Sequence, residues 1–293
     1  MRQGRIPGTA SLGIAVRASA LSLLLTLAPA ASLEAKMIFR LRNLGEVSLA
    51  ELVTDLKKAR VVIIGERHDS VEDHVAQRTV IQALHDAGAD IAVGLEMFRA
   101  EEQPALDKWV GRGLGIGEFR KIFDRNWTPE YWNLYNDILV YARQERIPLI
   151  GLNLPREIPS QVAREGFDSL GAESRRLLGI QSCEIPERYR DLLRRVLGEK
   201  AESAPRRFDN FCQAQLVWDY AMARVVAAYL AEHPGRTVVV LCGTFHAWRH
   251  GIPLQLEKIS PGISQRIILP SSDRSLLNYD ILIADADYVW WQQ

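Results

Sequence analysis

Short apolar runs alternate along the chain with longer stretches in which apolar residues recur at helical spacing. The runs are rich in Val, Ile and Leu and end at glycine or charged residues, which is typical of strands buried on both faces of a parallel sheet. The predicted strands are 61–65, 91–95, 147–151, 238–241, 264–269 and 280–284. The pattern therefore predicts a sheet with several buried, parallel strands.

The stretches between these runs are predicted to be helices. Ser48 and Glu51 form a capping-box pattern at the start of the first helix, and Gly88 ends the second. The predicted helical stretches are 48–59, 71–87, 100–124, 131–146, 156–206 and 208–232. Strands that alternate with helices predict an α/β fold: a largely parallel central sheet flanked by helices on both faces, with a helical insertion at about 156–206.

The first segment is predicted to lie outside this fold. Three arginines precede an apolar stretch at 18–27, and small residues follow at 28–32. This is the layout of a secretory signal peptide, which we place at residues 1–31. An uncleaved anchor is the alternative, but the stretch is shorter than the roughly 20 residues that a spanning helix needs. We expect residues 37–293 to form a single exported, periplasmic domain.

Composition restricts the partners of this domain. The 36 basic and 36 acidic residues balance, so there is no overall electrostatic attraction to nucleic acid. The three cysteines, Cys183, Cys212 and Cys242, allow at most one disulfide within the chain. Cys242 lies in an apolar run, where we expect a buried thiol that packs as a small hydrophobe. No cysteine lies near the expected cleavage site, so we expect no lipid anchor.

Acidic residues and histidines stand at the ends of the predicted strands. Glu66 and His68 follow the first strand, Glu96 follows the second, and His246 follows the fourth. The carboxyl ends of parallel strands meet at one edge of a sheet, where ligands bind. Such a cluster can bind a divalent metal or perform acid–base chemistry. Each histidine taken alone is more typical of a helix cap or a surface residue; the combined pattern favours a shared site.

Five segments spread over the chain carry a family resemblance. They are Gly65-Glu66-Arg67-His68-Asp69, Gly94-Leu95-Glu96-Met97-Phe98, residues 147–156, residues 213–223 and Gly243-Thr244-Phe245-His246. Together and in this order they resemble the ChaN-like haem-binding proteins of the haem-uptake/Tiki superfamily. The resemblance implies an exported haem-binding protein that serves iron uptake, with a tyrosine ligand to iron and a homodimer around haem. Outer-membrane or periplasmic transport components are the further partners that it implies.

The resemblance also implies an alternative function. Wider relatives, the erythromycin esterases and Tiki-type proteases, are hydrolases. Carried over to this chain, their catalytic positions are Glu66, His68, Glu96 and His246, with His68 as base and the other three as ligands of a divalent metal ion. Gly-Thr-Phe-His replaces the more usual Gly-Asn-Gly-His, and Phe245 adds an apolar group beside His246.

Residues 127–135 supply the predicted contacts for haem. Haem is a large apolar disc with two propionates, so its site needs apolar walls, an axial ligand and basic partners. Tyr131 and Tyr135 are four residues apart and are predicted to share a helix face, although such aromatic stripes are usually core. Either tyrosine is a candidate iron ligand. The candidate propionate partners are Arg67, Arg156 and His74.

Overall fold

The computed structural model describes Met1, residues 37–270 and residues 284–291. The predicted signal peptide lies outside the described residues, as does all but the last residue of the predicted strand at 280–284. The described strands and helices belong to one compact unit, Ala35–Gln293. Among the described residues, no helix combines the length and apolar character that crossing a bilayer requires.

Among the described residues, the sheet has eight strands, and its central part is parallel. The strands are β1 (Met37–Arg40), β2 (Gly45–Val47), β3 (Val61–Glu66), β4 (Ile91–Arg99), β5 (Leu149–Asn153), β6 (Thr237–Gly243), β7 (Gln265–Pro270) and β8 (Tyr288–Trp291). Their order is β2-β1-β8-β7-β3-β6-β4-β5. The pairs from β8 to β5 are parallel, and β1 pairs antiparallel with β2 and β8. The prediction of a largely parallel sheet is confirmed.

Helices fill the connections between the strands. They are α1 (Leu49–Leu56), α2 (Val71–Asp86), α3 (Gln103–Val110), α4 (Ile116–Asn126), α5 (Trp132–Glu145), α6 (Glu157–Glu165), α7 (Ala172–Leu178), α8 (Glu187–Leu197), α9 (Glu199–Ser203), α10 (Pro205–Glu232), α11 (Thr244–Ala247) and α12 (Ile252–Ile259). The capping box is present: the amide of Glu51 donates to Ser48 Oγ at 3.2 Å, and the Ser48 amide donates to Glu51 Oε2 at 2.8 Å. The helical insertion is the group α6–α9, between β5 and β6.

The sheet has a hydrophobic core on each face. Along β3, Val62 and Ile64 pack into the core that α1 to α5 cover, whereas Val61 and Ile63 pack into the core beneath α8, α10 and α12. Successive side chains of a strand point to opposite faces, so a strand buried on both faces must be apolar at every position. The uninterrupted apolar run at 61–64 has this cause, and the prediction of helices on both faces is confirmed.

Three short strands at the antiparallel edge, β1, β2 and β8, were not predicted. β1 pairs with β2 as a short hairpin, and β8 joins β1 to the parallel part through β7. These strands are three or four residues long. At that length a run of residues shows no usable period. Tyr288 and Trp290 of β8 are buried, so the aromatic end of the chain docks into the sheet.

The strand order determines where the polar strand ends meet. β6 lies between β3 and β4, although it follows both by more than a hundred residues in the chain. Glu66, the last residue of β3, is paired in register with Gly243, the last residue of β6. The histidines that follow these two strands therefore approach the same point from neighbouring positions.

Candidate functional site

A cavity of about 1060 Å³ opens at the carboxyl ends of β3, β4 and β6. Its size is slightly above the roughly 300 to 1,000 Å³ that is usual for small-molecule sites. Sequence-predicted residues that line it are Glu66, Arg67, His68, Glu96, Trp127, Tyr131, Arg156, Phe245 and His246. The structure thus brings the acidic residues and histidines of the strand ends, the aromatic segment and two arginines to a single cavity.

Glu66 is the centre of a buried hydrogen-bond network. Its Oε1 accepts from His68 Nδ1 at 2.8 Å and from the Tyr135 hydroxyl, and its Oε2 accepts from Gln77 Nε2 at 2.6 Å. Burial opposes ionisation, but the hydrogen bond from His68 and the charge of His74 lower the pKa of Glu66 below its usual range. The carboxylate is therefore ionised under the cavity floor.

His68 is held by this carboxylate at the cavity surface. Burial opposes its positive charge, yet the hydrogen bond with Glu66 and the nearby charge of Glu96 raise its pKa to about 9. The ring stands edge-on to Trp127, with centroids 5.0 Å apart. A Cβ on Gly243 would lie 3.0 Å from Cε1 of His68, so glycine lets the ring pack closely against the end of β6.

His74 lies beneath the cavity rather than in it. Its Nδ1 donates to the Ser70 carbonyl at 2.6 Å, and its Nε2 lies 3.5 Å from Glu66 Oε2. The ring packs edge-on against Tyr135, and the residue is only 3% exposed. His74 therefore does not reach a ligand in the cavity, and its predicted role as a propionate partner is wrong. His74 instead contacts the Glu66 carboxylate on the side away from the cavity.

Glu96 lies within β4 rather than after it, because β4 continues to Arg99. The pairing of β4 with β5 changes register between Leu95 and Arg99, an irregularity of the kind that redirects side chains near functional sites. Glu96 Oε2 accepts from the Gly243 amide at 2.7 Å, and its Oε1 lies 3.6 Å from His246 Nε2. Glu96 thereby connects the end of β6 to the second histidine.

His246 has a buried carboxylate of its own, which sequence reasoning missed. Nδ1 of His246 bonds to Asp219 Oδ1 at 2.7 Å, and the Tyr189 hydroxyl donates to Asp219 Oδ2 at 2.9 Å. Burial alone would lower the pKa of His246, but Glu96 and Asp219 raise it. A signal was present in the sequence, since Asp219 is the single charged residue in the otherwise uncharged segment 213–223 of α10.

The two candidate tyrosines occupy different environments. Tyr131 is the N-cap residue of α5, at the end of the 3₁₀ turn Pro129–Tyr131, and Tyr135 lies one turn further along α5. Tyr131 is half-buried and lines the cavity. Tyr135 is 1% exposed, its hydroxyl bonds to Glu66, and burial raises its pKa well above the usual value. Of the two, Tyr131 is the one placed to contact a ligand.

Trp218 adds a cavity wall that was not predicted from the sequence. Its Nε1 donates to Asn153 Oδ1 at 3.1 Å, and Asn153 Nδ2 donates to the Glu96 carbonyl at 2.8 Å. The indole stands edge-on to the His246 ring, with centroids 6.1 Å apart. Trp218 and Asn153 therefore fix the side of the cavity next to His246.

Two of the arginines that line the cavity are the predicted propionate partners. Arg67 and Arg156 are exposed and line the opening. Arg67 forms an ion pair with Asp69 at 3.1 Å, and Arg156 stands at the start of α6. Both arginines line the cavity, and their pairing with haem propionates stays a prediction.

The residues do not fit the predicted divalent metal site. Within residues 37–270 and 284–291, no group of three or more His, Cys, Asp or Glu side chains is arranged to hold a metal ion. The predicted ligands already form hydrogen bonds within the protein. Glu66 accepts hydrogen bonds from three side chains, Glu96 accepts one from the Gly243 amide, and His246 is hydrogen-bonded to Asp219. The metal prediction for Glu66, Glu96 and His246 is therefore not supported.

The cysteines take no part in this site. Cys183, Cys212 and Cys242 are all free thiols. Cys242 is fully buried in β6, and burial raises its pKa well above the usual value. It packs as a small apolar side chain, as predicted.

Known proteins share this architecture. ChaN of Campylobacter jejuni, whose structure was described for cofacial haem binding, superposes with a TM-score of 0.68 and 19% identity, covering 88% of this chain and 97% of that one. This similarity shows a common fold. The erythromycin esterase EreC in its open conformation is 17% identical over 75% of this chain and 72% of that one; its TM-score of 0.45 is too low to assign any property here.

Sequence comparison identifies the family. The protein RETICULATA-RELATED 5, chloroplastic, of Arabidopsis thaliana is 24% identical over 254 residues, 80% of this chain, and the aligned region spans 34% of that protein's length. The family model described as haem-binding uptake, Tiki superfamily, ChaN matches residues 52–256, and this confirms the resemblance in the motifs. Because the match extends over most of the chain, the protein belongs to the ChaN family of haem-binding uptake proteins in the Tiki superfamily.

Proposed function

We propose that this protein binds haem in the cavity at the carboxyl ends of β3, β4 and β6, as an exported protein that serves haem or iron uptake. Membership of a haem-binding family supports the choice of haem as the ligand. The cavity of about 1060 Å³ supports the location, because Trp127, Trp218 and Phe245 give it aromatic walls. A planar apolar ring system requires such walls together with a few polar anchors.

The observation that carries the proposal is the position of Tyr131 in this lining. Haem supplies an iron centre that accepts an axial ligand from the protein, and a tyrosine oxygen is one of the established ligands. Tyr131 is half-buried and lines the cavity, whereas the hydroxyl of Tyr135 is already bonded to the buried Glu66. We therefore assign the iron ligand to Tyr131.

Arg67 and Arg156 suit the carboxylate groups of haem. Both are exposed at the cavity opening, so the propionates can pair with them without being buried away from water. Guanidinium groups bind carboxylates with two parallel hydrogen bonds. This arrangement places the apolar ring inward and the charged edge outward.

Titration of the purified protein with haemin tests the proposal. We expect saturable binding at micromolar haemin, with the absorption spectrum of a tyrosine-bound ferric haem. Tyr131→Phe should abolish this spectrum, and Tyr135→Phe is the matched control because the same hydroxyl is removed outside the cavity. Absence of saturable binding would contradict the proposed function. Loss of the spectrum in Tyr135→Phe alone would contradict the choice of ligand.

Export, dimerisation and transport partners are further parts of the proposal. The layout of residues 1–31 supports export. The resemblance in the motifs is the ground for proposing a homodimer around haem. Cell fractionation tests the periplasmic location, and sedimentation with and without haemin tests the dimer. Growth of a deletion strain on haemin as the iron source tests the uptake role and the need for transport components. Equal growth of the deletion and parent strains would contradict that role.

A second candidate function is hydrolysis by the same strand-end residues. The observation that favours it is that His68 and His246 each bond to a buried carboxylate, Glu66 and Asp219, while Glu96 lies 3.6 Å from His246. Histidines oriented in this way act as general acids or bases. Assays with ester and peptide substrates test it; if His68→Gln and His246→Gln leave every detected activity unchanged, this function is excluded.

A further inference from the structure

Gln215 is a buried amide that has no use yet within the site. It lies on α10, is 7% exposed and lines the cavity. In the part of the chain that the structure describes, its side chain makes no hydrogen bond. Two other amides of α10 are bonded. Asn210 Nδ2 donates to the Arg164 carbonyl at 3.1 Å, and Gln213 Oε1 accepts from the Phe167 amide at 2.6 Å. Since buried amides are usually bonded in this way, Gln215 is available to a group in the cavity.

Aromatic side chains surround this amide. Phe211, Gln215 and Trp218 are four and three residues apart, so they share one face of α10, and all three line the cavity. Phe245 and Leu154 line it beside them. These five residues are called the α10 side of the cavity below. The α10 side thus combines four apolar side chains with one unbonded amide.

The α10 side and Tyr131 belong to opposite faces of the sheet. The three aromatic residues of the α10 side pack against the core beneath α8, α10 and α12, whereas Trp127 and Tyr131 pack against the core that α1 to α5 cover. The cavity opens at the strand ends between these two cores. The α10 side is therefore a part of the cavity that does not depend on the assigned iron ligand.

The charged groups next to the α10 side are already paired or stand in solvent. His246 bonds to Asp219 at 2.7 Å, and its other ring nitrogen lies 3.6 Å from Glu96. Arg156 and Glu157 line the cavity with opposite charges, and both are exposed. A charged group bound inward of them would lose its water without gaining a partner, which is unfavourable. The α10 side therefore favours an uncharged ligand.

We propose that the α10 side of the cavity binds an uncharged aromatic ligand that carries an amide or ester group. The ring packs against Phe211, Trp218 and Phe245, as aromatic pairs do in cores and interfaces. The amide or ester bonds to Gln215, whose side chain both donates and accepts. This inference goes beyond haem binding. It names a ligand class for the second candidate function, hydrolysis, and rests on that function for the reaction but not for binding.

Three probes with the same ring test the ligand class. N-acetyl-phenylalaninamide is neutral, N-acetyl-phenylalanine carries a carboxylate, and phenylalaninamide carries an ammonium group. Calorimetric titration of the purified protein measures the affinity for each. We expect the neutral probe to bind about tenfold more tightly than either charged probe, because neither charge finds a free partner. The side-chain amide signals of Gln215 in the NMR spectrum should move as the neutral probe is added.

Two variants and a control test the location. Gln215→Leu keeps the side-chain volume and removes the amide, so we expect about a fivefold loss of affinity for the neutral probe, the effect of one hydrogen bond. Its free energy of unfolding should not fall, because no hydrogen bond within the protein is lost. Phe211→Leu should also weaken binding, through the lost ring contact. Gln144→Leu is the matched control, an exposed glutamine on α5 outside the cavity lining, and should keep the wild-type affinity.

The possible results separate this inference from the proposed functions. Affinity for a charged probe equal to that for the neutral one would overturn the ligand class, and unchanged affinity in Gln215→Leu would overturn the location. No saturable binding of the neutral probe would overturn the site, and saturable haemin binding by the same protein would still support haem binding. If the neutral probe binds but the ethyl ester of N-acetyl-phenylalanine is not cleaved, the binding site stands and hydrolysis of this ligand class is excluded.

Discussion

Two histidine centres meet at the cavity, one from each face of the sheet. On one side Glu66 bonds to His68 and to Tyr135 of α5; on the other, Asp219 bonds to His246 and to Tyr189 of α8. Each centre consists of a tyrosine, a buried carboxylate and a histidine. The two differ in exposure, since the side chain of His68 is 35% exposed and that of His246 is 9% exposed.

The difference suggests a division of roles. The exposed imidazole of His68 can reach a ligand, whereas the buried imidazole of His246 is enclosed between Asp219 and Glu96. The carboxylates differ as well: Glu66 accepts hydrogen bonds from three side chains, whereas Asp219 accepts them from two. Similar chemical groups therefore serve a ligand-facing centre and an enclosed one.

The largest effect is expected for Glu66→Gln. A glutamine has one acceptor oxygen for three donors and places an N–H₂ group among them, so buried polar atoms lose their partners. We expect the free energy of unfolding to fall by about 3 to 5 kcal/mol, as when one member of a buried charged pair is removed. Urea denaturation measures this change. If Glu66→Gln lowers the free energy of unfolding by less than Asp219→Asn does, Glu66 is not the more important of the two carboxylates for stability.

Asp219→Asn should have a smaller effect. The asparagine oxygen can still accept from one of its two partners, and its N–H₂ can donate to the Tyr189 hydroxyl. We expect a loss of about 1 to 3 kcal/mol in the same denaturation experiment. Because His246 loses the carboxylate that raises its pKa, the titration of His246 followed by NMR should move to lower pH. An unchanged titration would show that Asp219 does not control His246.

Gly243→Ala is expected to disturb the packing around His68 while leaving His246 in place. The new Cβ would approach Cε1 of His68 to 3.0 Å and Nε2 of His68 to 3.1 Å, so the ring must shift by a few tenths of an ångström. We expect a loss of about 1 kcal/mol, at the low end for overpacking, because the contact is with the end of a side chain. NMR signals of the His68 ring should move while those of His246 keep their positions. Equal movement of both would indicate one coupled centre.

The smallest expected effect is the contribution of His68 to the pH dependence of the free energy of unfolding. The pKa of His68 is raised from 6.5 in the free side chain to about 9 in the folded chain, so the protonated ring stabilises the fold. That stabilisation is complete below pH 6.5 and is lost as the pH rises through about 9. Solvent screens a side chain that is 35% exposed, so we expect a change below about 1 kcal/mol. His68→Gln should lose this component of the pH dependence; a difference from the wild type that stays constant between pH 6 and pH 9.5 would contradict it.

Much of the fold could be predicted because local patterns determine it. The run at 61–64 is apolar at every position because helices cover both faces of the sheet at this strand. The Ser48–Glu51 pair identifies the start of α1. Glu66 and His68 could also be selected, because they are two residues apart at the end of one strand. In an extended chain such residues are on the same side, and their hydrogen bond forms within the segment.

The rest of the site depends on contacts between distant segments. Asp219 reaches His246 only because α10 packs beside the end of β6. In the sequence, a single acidic residue in an apolar helix indicates that Asp219 is buried, but it does not indicate which residue Asp219 contacts. The choice between Tyr131 and Tyr135 depends on burial, because Tyr131 lines the cavity whereas Tyr135 is 1% exposed and its hydroxyl bonds to Glu66. The metal prediction was not supported because residue type alone does not reveal which donor atoms are already bonded inside the protein.

By itself, then, the sequence determined the alternation of strands and helices, the family and the residues at the strand ends. Those features arise from periodicity and from motifs a few residues long. Only the tertiary structure decided that β6 lies between β3 and β4, which histidine is open to the cavity and which tyrosine lines it. These properties follow from the packing of both sheet faces, where burial and hydrogen bonds between distant residues assign each side chain its partners.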